Sequence, residues 1–226
     1  SPGLSSGVSS GVLSDLGTAG SDGGEPRLIL RRAARDGRSA SGLDIQRRRY
    51  GPVEVLTLSG RIDESFKGAE LGRSLAGAVV FDLAGVERVT SFGVREWVLA
   101  MAELAPRVEA LYLARCSVAI VNQLTMYEGF AGPGVVVSFQ APYACRACSA
   151  AFERAIDSRE DREALHAQTP PATRCPRCGE EAEFDDDPGF FRALSDMVGD
   201  EVHPDAEEAL RALTPPDRPA VEKRIE

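Results

Sequence analysis

Four cysteines in the C-terminal half of the chain form two Cys-x-x-Cys pairs, the pattern with the clearest capacity for chemistry. The pairs are Cys145 with Cys148 and Cys175 with Cys178. A two-residue gap lets both sulfurs of a pair face one ion from a tight turn, and two pairs supply the four ligands of a tetrahedral zinc site. The intervening residues 149–174 exceed the usual spacer of about 15–20 residues, so we expect a polar, proline-containing excursion there.

Four thiolate ligands would close the coordination shell, which predicts a structural zinc ion rather than a catalytic one. Short alternating segments after each pair, AAFERAI and EAEF, predict the small strands of a zinc ribbon over residues 141–187. A redox-active Cys-x-x-Cys is the competing interpretation. The fifth thiol, Cys116, ends an apolar segment and is predicted to be a buried packing residue. His166 and His203 lie in polar segments without partners at metal spacing, which predicts surface histidines.

A second candidate site is the stretch VTSFGVREW, residues 89–97, where an apolar segment turns into a helical pattern. Thr90 and Ser91 stand at the predicted helix N-terminus, where a hydroxyl that accepts from a free backbone N–H stabilises a helix by about 0.5–2 kcal/mol. The same place tolerates a phosphate, because the helix dipole favours negative charge. The two hydroxyls are therefore either a cap alone or a phosphorylation switch. Phe92, apolar in a predicted exposed position, suggests a contact surface.

The elements that must position these residues follow from the periodicity of residues 41–140. Alternating or continuous apolar segments predict strands at LDIQRRRY, VEVLTLSG, AVVFDL, ALYLARC and GVVVSF. Helical spacing predicts a helix in each interval after the second strand, and the middle helix runs from Val94 to Leu104 and ends before Pro106. The order ββαβαβαβ predicts an α/β fold with a mostly parallel sheet.

In this order and spacing, residues 42–140 resemble a STAS domain, the module shared by anti-sigma-factor antagonists and the cytoplasmic tails of sulfate transporters. The resemblance rests on LTLSGRID, VVFDLAGVERVTSFGV and ALYLARCSVAIVNQLTMYEGF. These stretches are similar to the family's second strand, to its third strand with the following helix start, and to its fourth strand with the third helix. In the family a final helix usually follows the last strand, whereas here SFQAPYAC leads directly into the cysteine pairs. We therefore expect the ribbon to cover part of the surface that this helix would cover.

The resemblance implies a phosphorylation and partner-binding site. In the family's antagonists a partner anti-sigma kinase phosphorylates the Ser or Thr that follows an Asp, and this position matches Ser91. The Asp position matches Thr90, so the acidic residue is missing. Phe92 stands where a second hydroxyl is common, and Gly93 is kept. The implied partner surface comprises these four residues and the helix as far as Trp97.

Composition limits the classes of partner. The 226 residues carry a formal net charge of -9, which disfavours nucleic acid and anionic membrane surfaces as partners. The sequence has no apolar stretch of transmembrane length and no signal-peptide pattern at its start, which predicts a cytoplasmic protein without membrane insertion. The chain begins with Ser rather than Met, and we interpret it as a fragment or a processed product.

Both ends differ from the globular pattern. Residues 1–40 are rich in Ser and Gly and then in Arg, which predicts a flexible leader. Residues 188–226 predict an acidic helical tail or linker. Its two amphipathic segments are DDPGFFRALSDMVGDEV and AEEALRAL, followed by the helix-breaking PPDRP. The final VEKRIE is similar in character to the first strand.

These patterns predict a non-enzyme, since no nucleotide-binding loop, Ser/His/Asp set or open metal site is evident. The leading hypothesis is a bacterial signalling module of the anti-sigma-factor-antagonist type that binds a kinase or an anti-sigma factor near Ser91. The alternative is a scaffold subunit of a larger assembly that docks through its zinc ribbon while Ser91 only caps a helix. A nucleic-acid-binding ribbon is a third possibility, which the negative charge disfavours. The sequence leaves the oligomeric state open.

Overall fold

The computed structural model describes residues 42–187 and 189–213. The predicted leader over residues 1–40 and the segments PPDRP and VEKRIE lie outside the described residues. Within the described ranges the chain forms two β-sheets, of five and four strands. No helix in these ranges is both long and apolar enough to cross a bilayer.

The larger sheet contains the strands predicted for the first half of the chain. It consists of β1 (Leu43–Tyr50), β2 (Val53–Ile62), β3 (Gly77–Val89), β4 (Val108–Ala114) and β5 (Gly134–Val136), and strands adjacent in the sheet are adjacent in the sequence. β1 pairs antiparallel with β2, and β2 to β5 are parallel. The predicted order ββαβαβαβ and the mostly parallel sheet are confirmed.

Three helices connect the parallel strands and pack on one face of the larger sheet. They are α1 (Gly68–Arg73), α2 (Ser91–Leu104) and α3 (Val118–Met126). Successive right-handed crossovers in one direction place their helices on the same side of a sheet. Since side chains alternate between the faces of a strand, every second strand residue enters this core. The strand residues of the core include Leu56, Leu58, Phe81, Leu83, Leu111 and Leu113.

Glycines of α1 allow a close approach of α2. A Cβ atom on Gly68 would overlap the carbonyl group of Glu96, and one on Gly72 would lie 2.6 Å from the carbonyl oxygen of Ala100. A helix of six residues with no side-chain cap has little stability of its own. The contact with α2 therefore holds α1 in place, and the same contact fixes the side of α2 that faces α1.

The opposite face of the larger sheet is covered by α6 (Pro204–Leu213), the second of the predicted tail helices. This helix begins at Pro204 rather than at the predicted Ala206, because proline is well tolerated in the first turn of a helix. Ala206 and Ala209 are buried, and these small side chains let the helix lie near the strands. The strand residues beneath it are Val53, Val55, Val80, Tyr112 and Ala114.

The smaller sheet consists of two hairpins that each turn at a Cys-x-x-Cys pair. β6 (Ser138–Ala144) and β7 (Ala151–Asp157) form the first hairpin, and β8 (Thr173–Arg174) and β9 (Glu181–Phe184) form the second. β6 also pairs with β9, and all pairs are antiparallel. AAFERAI and EAEF thus correspond to β7 and β9. The segment GVVVSF, predicted as one strand, divides between β5 and β6 because the chain leaves the larger sheet after Val136.

An aromatic cluster joins the hairpins to the rest of the core. Its rings, whose centroids lie 5.1–6.2 Å from their neighbours, are Phe139, Phe184, Phe190 and Phe191. The last two belong to α5 (Phe190–Leu194), the first predicted tail helix, and β6 and α5 both contact α3. β6 and α5 therefore cover part of α3, whereas the expected cover of the surface that the family's final helix would occupy stays a prediction. The excursion between the hairpins contains α4 (Arg162–His166).

Candidate metal centre and candidate interaction surface

Four cysteine sulfurs converge where the two hairpins turn. The Sγ atoms of Cys145, Cys148, Cys175 and Cys178 all lie within 4.8 Å of one another. The Sγ atoms of Cys145 and Cys178 are 3.6 Å apart, as are those of Cys148 and Cys175. Zinc–sulfur bonds of about 2.3 Å in a tetrahedron would place the sulfurs about 3.8 Å apart. The predicted four-cysteine cluster is confirmed, and its spacing fits one tetrahedrally bound metal ion.

The same turn is built twice around this cluster. In each pair the N–H of the first cysteine donates to the carbonyl oxygen five residues later, at 2.8 Å in both cases: Cys145 to Ala150, and Cys175 to Glu180. The residue after each pair has a left-handed backbone, with φ 56° at Ser149 and 77° at Gly179. A glycine in the sequence indicates that a left-handed backbone is possible, whereas the serine at position 149 gives no such indication. The repeated turn directs both sulfurs of each pair to the shared centre.

Backbone N–H groups favour ionised sulfur in this cluster. Burial raises the pKa of Cys175, but hydrogen bonds from the N–H groups of Cys178 and Arg177, together with those from the thiols of Cys148 and Cys145, bring the pKa to about 7. At Cys178 a hydrogen bond from the N–H of Glu180 lowers the pKa, whereas burial and the three neighbouring thiols raise it to about 12. Four thiols this close cannot all ionise against their mutual repulsion, and a divalent cation at their centre would remove that obstacle.

The other cysteine and the histidines lie where the sequence predicted. Cys116 is fully buried, and desolvation raises its pKa, as expected of a packing residue. His166 and His203 are both exposed. Convergence of all four paired sulfurs on one centre favours metal binding over the alternative of a redox-active pair.

Thr90 caps α2, so Ser91 is not needed for that role. The Oγ1 atom of Thr90 accepts a hydrogen bond from the N–H of Gly93 at 3.1 Å, and the Thr90 backbone is extended. Ser91 is the first residue of the helix and is exposed. Its hydroxyl forms no hydrogen bond with the described residues. One hydroxyl therefore closes the helix end, and the other is available to solvent and to modification.

Phe92 is exposed, whereas Gly93 and Trp97 are not. The side chain of Phe92 is 65% exposed. A Cβ atom on Gly93 would overlap the carbonyl oxygen of Ile62, so this glycine lets α2 begin directly on β2. The Trp97 ring is fully buried, stacks on Phe130 with centroids 5.4 Å apart, and donates its N–H to the Phe130 carbonyl at 2.9 Å. The placement of Gly93 and Trp97 on a partner surface is wrong, because both position α2 from within.

Asp63, which the sequence analysis did not single out, lies beside the start of α2. Its backbone N is 3.2 Å from the position of a Cβ atom on Gly93. The carboxylate accepts hydrogen bonds from the hydroxyl and the N–H of Ser65, at 2.6 and 3.0 Å, and these lower its pKa. These bonds fix the turn that follows β2. The sequence signal of Asp63 was its place at the end of LTLSGRID.

A buried ion pair ties the larger sheet to β6, and this too was missed. The Asp82 carboxylate is buried and accepts from the Nε of Arg115 at 2.9 Å and from the hydroxyl of Thr57 at 3.2 Å. Arg115 has a left-handed backbone, with φ 51°, and its N–H donates to the hydroxyl of Ser138 at 2.9 Å. Asp82 was recognisable only as a lone carboxylate in an apolar strand.

Comparison of the chain with protein-family models, curated proteins and solved structures found no match. The features of the described residues that bear on function are the four-cysteine cluster and the exposed start of α2.

Proposed function

We propose that this chain is a non-enzymatic, cytoplasmic interaction module that binds a kinase or an anti-sigma factor at the start of α2 and holds a structural zinc ion. The observation that carries the proposal is the free, exposed hydroxyl of Ser91 beside the exposed ring of Phe92, next to a helix already capped by Thr90. The resemblance of residues 42–140 to STAS domains supports it, since antagonists of that family are phosphorylated at the position that matches Ser91.

Zinc is the ion that the donor set favours. Four cysteine thiolates in a tetrahedral arrangement are the typical ligands of structural zinc, and they leave no position for a substrate. β8 contains only two residues and pairs only with β9 among the described strands. A two-stranded hairpin of this length has marginal stability by itself. Zinc binding would supply the missing stability, and its loss would release the second hairpin first.

Phosphorylation of Ser91 would change the partner surface without unfolding α2. A phosphate adds a charge of about -1.5 to -2, and the helix N-terminus tolerates negative charge. The same charge beside Phe92 would repel an acidic or apolar partner surface. Ser91 is thus the proposed switch, and Phe92 is the proposed contact.

Affinity capture from a cytosolic extract, with zinc retained throughout, tests this function. Phe92→Ala removes the proposed contact, and Met126→Ala, which changes a side chain 69% exposed at the end of α3, is the matched control. We expect a kinase or an anti-sigma factor to be retained by the wild type and the control but not by Phe92→Ala. Retention of the same partner by Phe92→Ala would contradict the proposal and favour a scaffold. So would recovery of structural subunits alone with unmodified Ser91.

A further inference from the structure

The exposed surface that begins at Ser91 and Phe92 continues along α2. At about 3.6 residues per turn, Phe92, Arg95, Leu99 and Ala102 follow one another along one side of the helix, and all four are exposed. The buried side of α2 consists of Gly93, Trp97, Ala100, Met101 and Leu104. We call the four exposed residues the α2 strip.

Neighbouring elements hold α2 beside and beneath the strip. On one flank Gly68 and Gly72 of α1 pack against the α2 backbone at Glu96 and Ala100. On the buried side the loop before β5 approaches α2, since a Cβ atom on Gly132 would lie 2.6 Å from the Cβ of Met101. The other flank carries Val98, which is 42% exposed. α2 is therefore held from one side and from below, and it presents the α2 strip on a rigid support.

Arg95 gives the strip its charge. It lies between Phe92 and Leu99, and it forms no ion pair with the described residues. A guanidinium among apolar side chains is complementary to an apolar surface that carries a carboxylate. The α2 strip of a second copy would not offer one, because it contains no Asp or Glu. The charge pattern therefore disfavours a symmetric contact between two α2 strips and favours a different protein as the partner.

We infer that the α2 strip is a docking surface for an amphipathic helix of a partner protein, and that this helix presents a carboxylate to Arg95. When Ser91 is phosphorylated, the phosphoryl group pairs with Arg95 in place of that carboxylate. The spacing of three and four residues along about 15 Å of helix suits helix-on-helix packing, and the small Ala102 leaves room for it. The inference rests on the proposed function, because it takes α2 as the partner-binding element.

Ser91 and Arg95 are four residues apart, so their side chains are neighbours on the helix surface. In the modification, the Ser91 Oγ attacks the γ-phosphorus of a nucleoside triphosphate in a partner kinase. The new P–O bond forms as the bond to the β-phosphate oxygen breaks. The nucleoside diphosphate leaves, and the hydroxyl proton passes to a base of the kinase. The bound phosphoryl group then neutralises Arg95 and repels the partner's carboxylate.

Titration by ³¹P NMR of the full chain with phosphoserine incorporated at position 91 tests the capture of Arg95. We expect the second pKa of the phosphate to be lower in the otherwise unchanged chain than in Arg95→Gln by about 0.2–0.4 units, the shift typical of an exposed pair with this spacing. Arg107→Gln, an exposed arginine beyond the end of α2, is the control and should leave the pKa unchanged. Equal pKa values with and without Arg95 would overturn the capture of Arg95 and leave the proposed function intact.

Photo-crosslinking in cells tests the docking surface. Benzoylphenylalanine replaces Phe92 or Leu99, and the joined peptides are sequenced. We expect both positions to join the same amphipathic, carboxylate-bearing segment, with a yield from Leu99 that Arg95→Glu lowers about fivefold or more and Arg107→Glu does not.

Other outcomes of the crosslinking experiment would contradict the α2 strip, the proposed function or the proposed occupant. A product from the Phe92 position alone would overturn the strip and leave the proposed function intact. No product from either position would overturn both. A product with a second copy, or with a segment that lacks Asp and Glu, would overturn the stated occupant.

Discussion

Thr90 and Ser91 carry the same functional group on adjacent residues, yet the backbone gives them different surroundings. Thr90 has an extended backbone, and its Oγ1 accepts a hydrogen bond from the N–H of Gly93, whereas Ser91 is the first residue of the helix. The sequence could not separate them, because both residue types favour helix N-termini and a boundary shift of one residue exchanges their roles. The free hydroxyl is thus a consequence of where the cap forms.

Removal of the cap should be costly, and removal of the free hydroxyl should not. We expect Thr90→Ala to lower the free energy of unfolding by about 0.5–2 kcal/mol. Ser91→Ala should change it by less than about 0.5 kcal/mol, as is usual for an exposed site without partners. Urea unfolding of the zinc-bound protein measures both. A larger loss for Ser91→Ala than for Thr90→Ala would show that Ser91 is the cap.

Gly93 should be intolerant of any side chain. Because a Cβ atom there would overlap the Ile62 carbonyl, Gly93→Ala must displace the first turn of α2, and we expect a loss of about 1–3 kcal/mol in the free energy of unfolding. Ser91→Ala, at an exposed position in the same helical turn, is the control, since it brings no new atom towards β2. Unfolding that is no more affected by Gly93→Ala than by the control would contradict the close contact of α2 with β2.

At the scale of elements, the two hairpins illustrate what spacing predicts and what it does not. The cluster of the two Cys-x-x-Cys pairs and the short strands beside them could be predicted from the sequence, because two such pairs with alternating segments are compatible with few other structures. The equivalence of Ser149 and Gly179 could not, because serine gives no signal of a left-handed backbone. The ion pair between Asp82 and Arg115 could not be predicted from the sequence either. Asp82 lies in β3 and Arg115 follows β4, so only the folded sheet brings the two side chains together.

Exchanging the residues at the two left-handed positions should have opposite effects. Ser149→Gly removes strain and should raise the midpoint of thermal unfolding slightly. Gly179→Ala introduces a cost of about 1–2 kcal/mol and should lower the midpoint. Differential scanning calorimetry of the zinc-bound proteins compares them. A fall in the midpoint for both variants would show that the two turns are not equivalent.

Trp97 shows how the two kinds of sequence argument can conflict within one element. Its helical spacing with Met101 and Leu104 marks the buried side of α2, and the structure places it there. The resemblance to the STAS family, by contrast, predicted that the same residue lies on an exposed partner surface. Periodicity gave the correct burial because it reports directly on which side of a helix packs.

At the scale of the whole molecule, the order of strands and helices was predictable because the hydrophobic pattern changes its period from element to element. The docking of the hairpins was not, because it depends on rings far apart in sequence. Phe139, Phe184, Phe190 and Phe191 become one cluster only when β6, β9 and α5 assemble. α5 thereby becomes part of one core, while α6 packs in a separate cluster on the opposite face of the larger sheet.

Metal removal should loosen one end of the molecule and spare the other. We expect chelation to expose β8, β9 and α5 to hydrogen exchange, because the proposed zinc ion and the aromatic cluster would hold them, while β2 to β4 stay protected. Hydrogen-exchange mass spectrometry before and after chelation measures this. Cys148→Ser should reproduce the pattern, and chelation should add nothing to it. Uniform loss of protection across both sheets would instead make zinc a requirement for the entire fold.

Whether Ser91 switches the partner surface is measured by the affinities of three proteins for the partner retained in affinity capture. Isothermal titration calorimetry would compare the wild type, Ser91→Ala and Ser91→Asp. We expect Ser91→Ala to bind as the wild type does, and Ser91→Asp to bind about tenfold more weakly or worse, a difference of about 1.4 kcal/mol or more. Equal affinities for all three proteins would rule out the switch and leave Ser91 as an exposed residue of a scaffold.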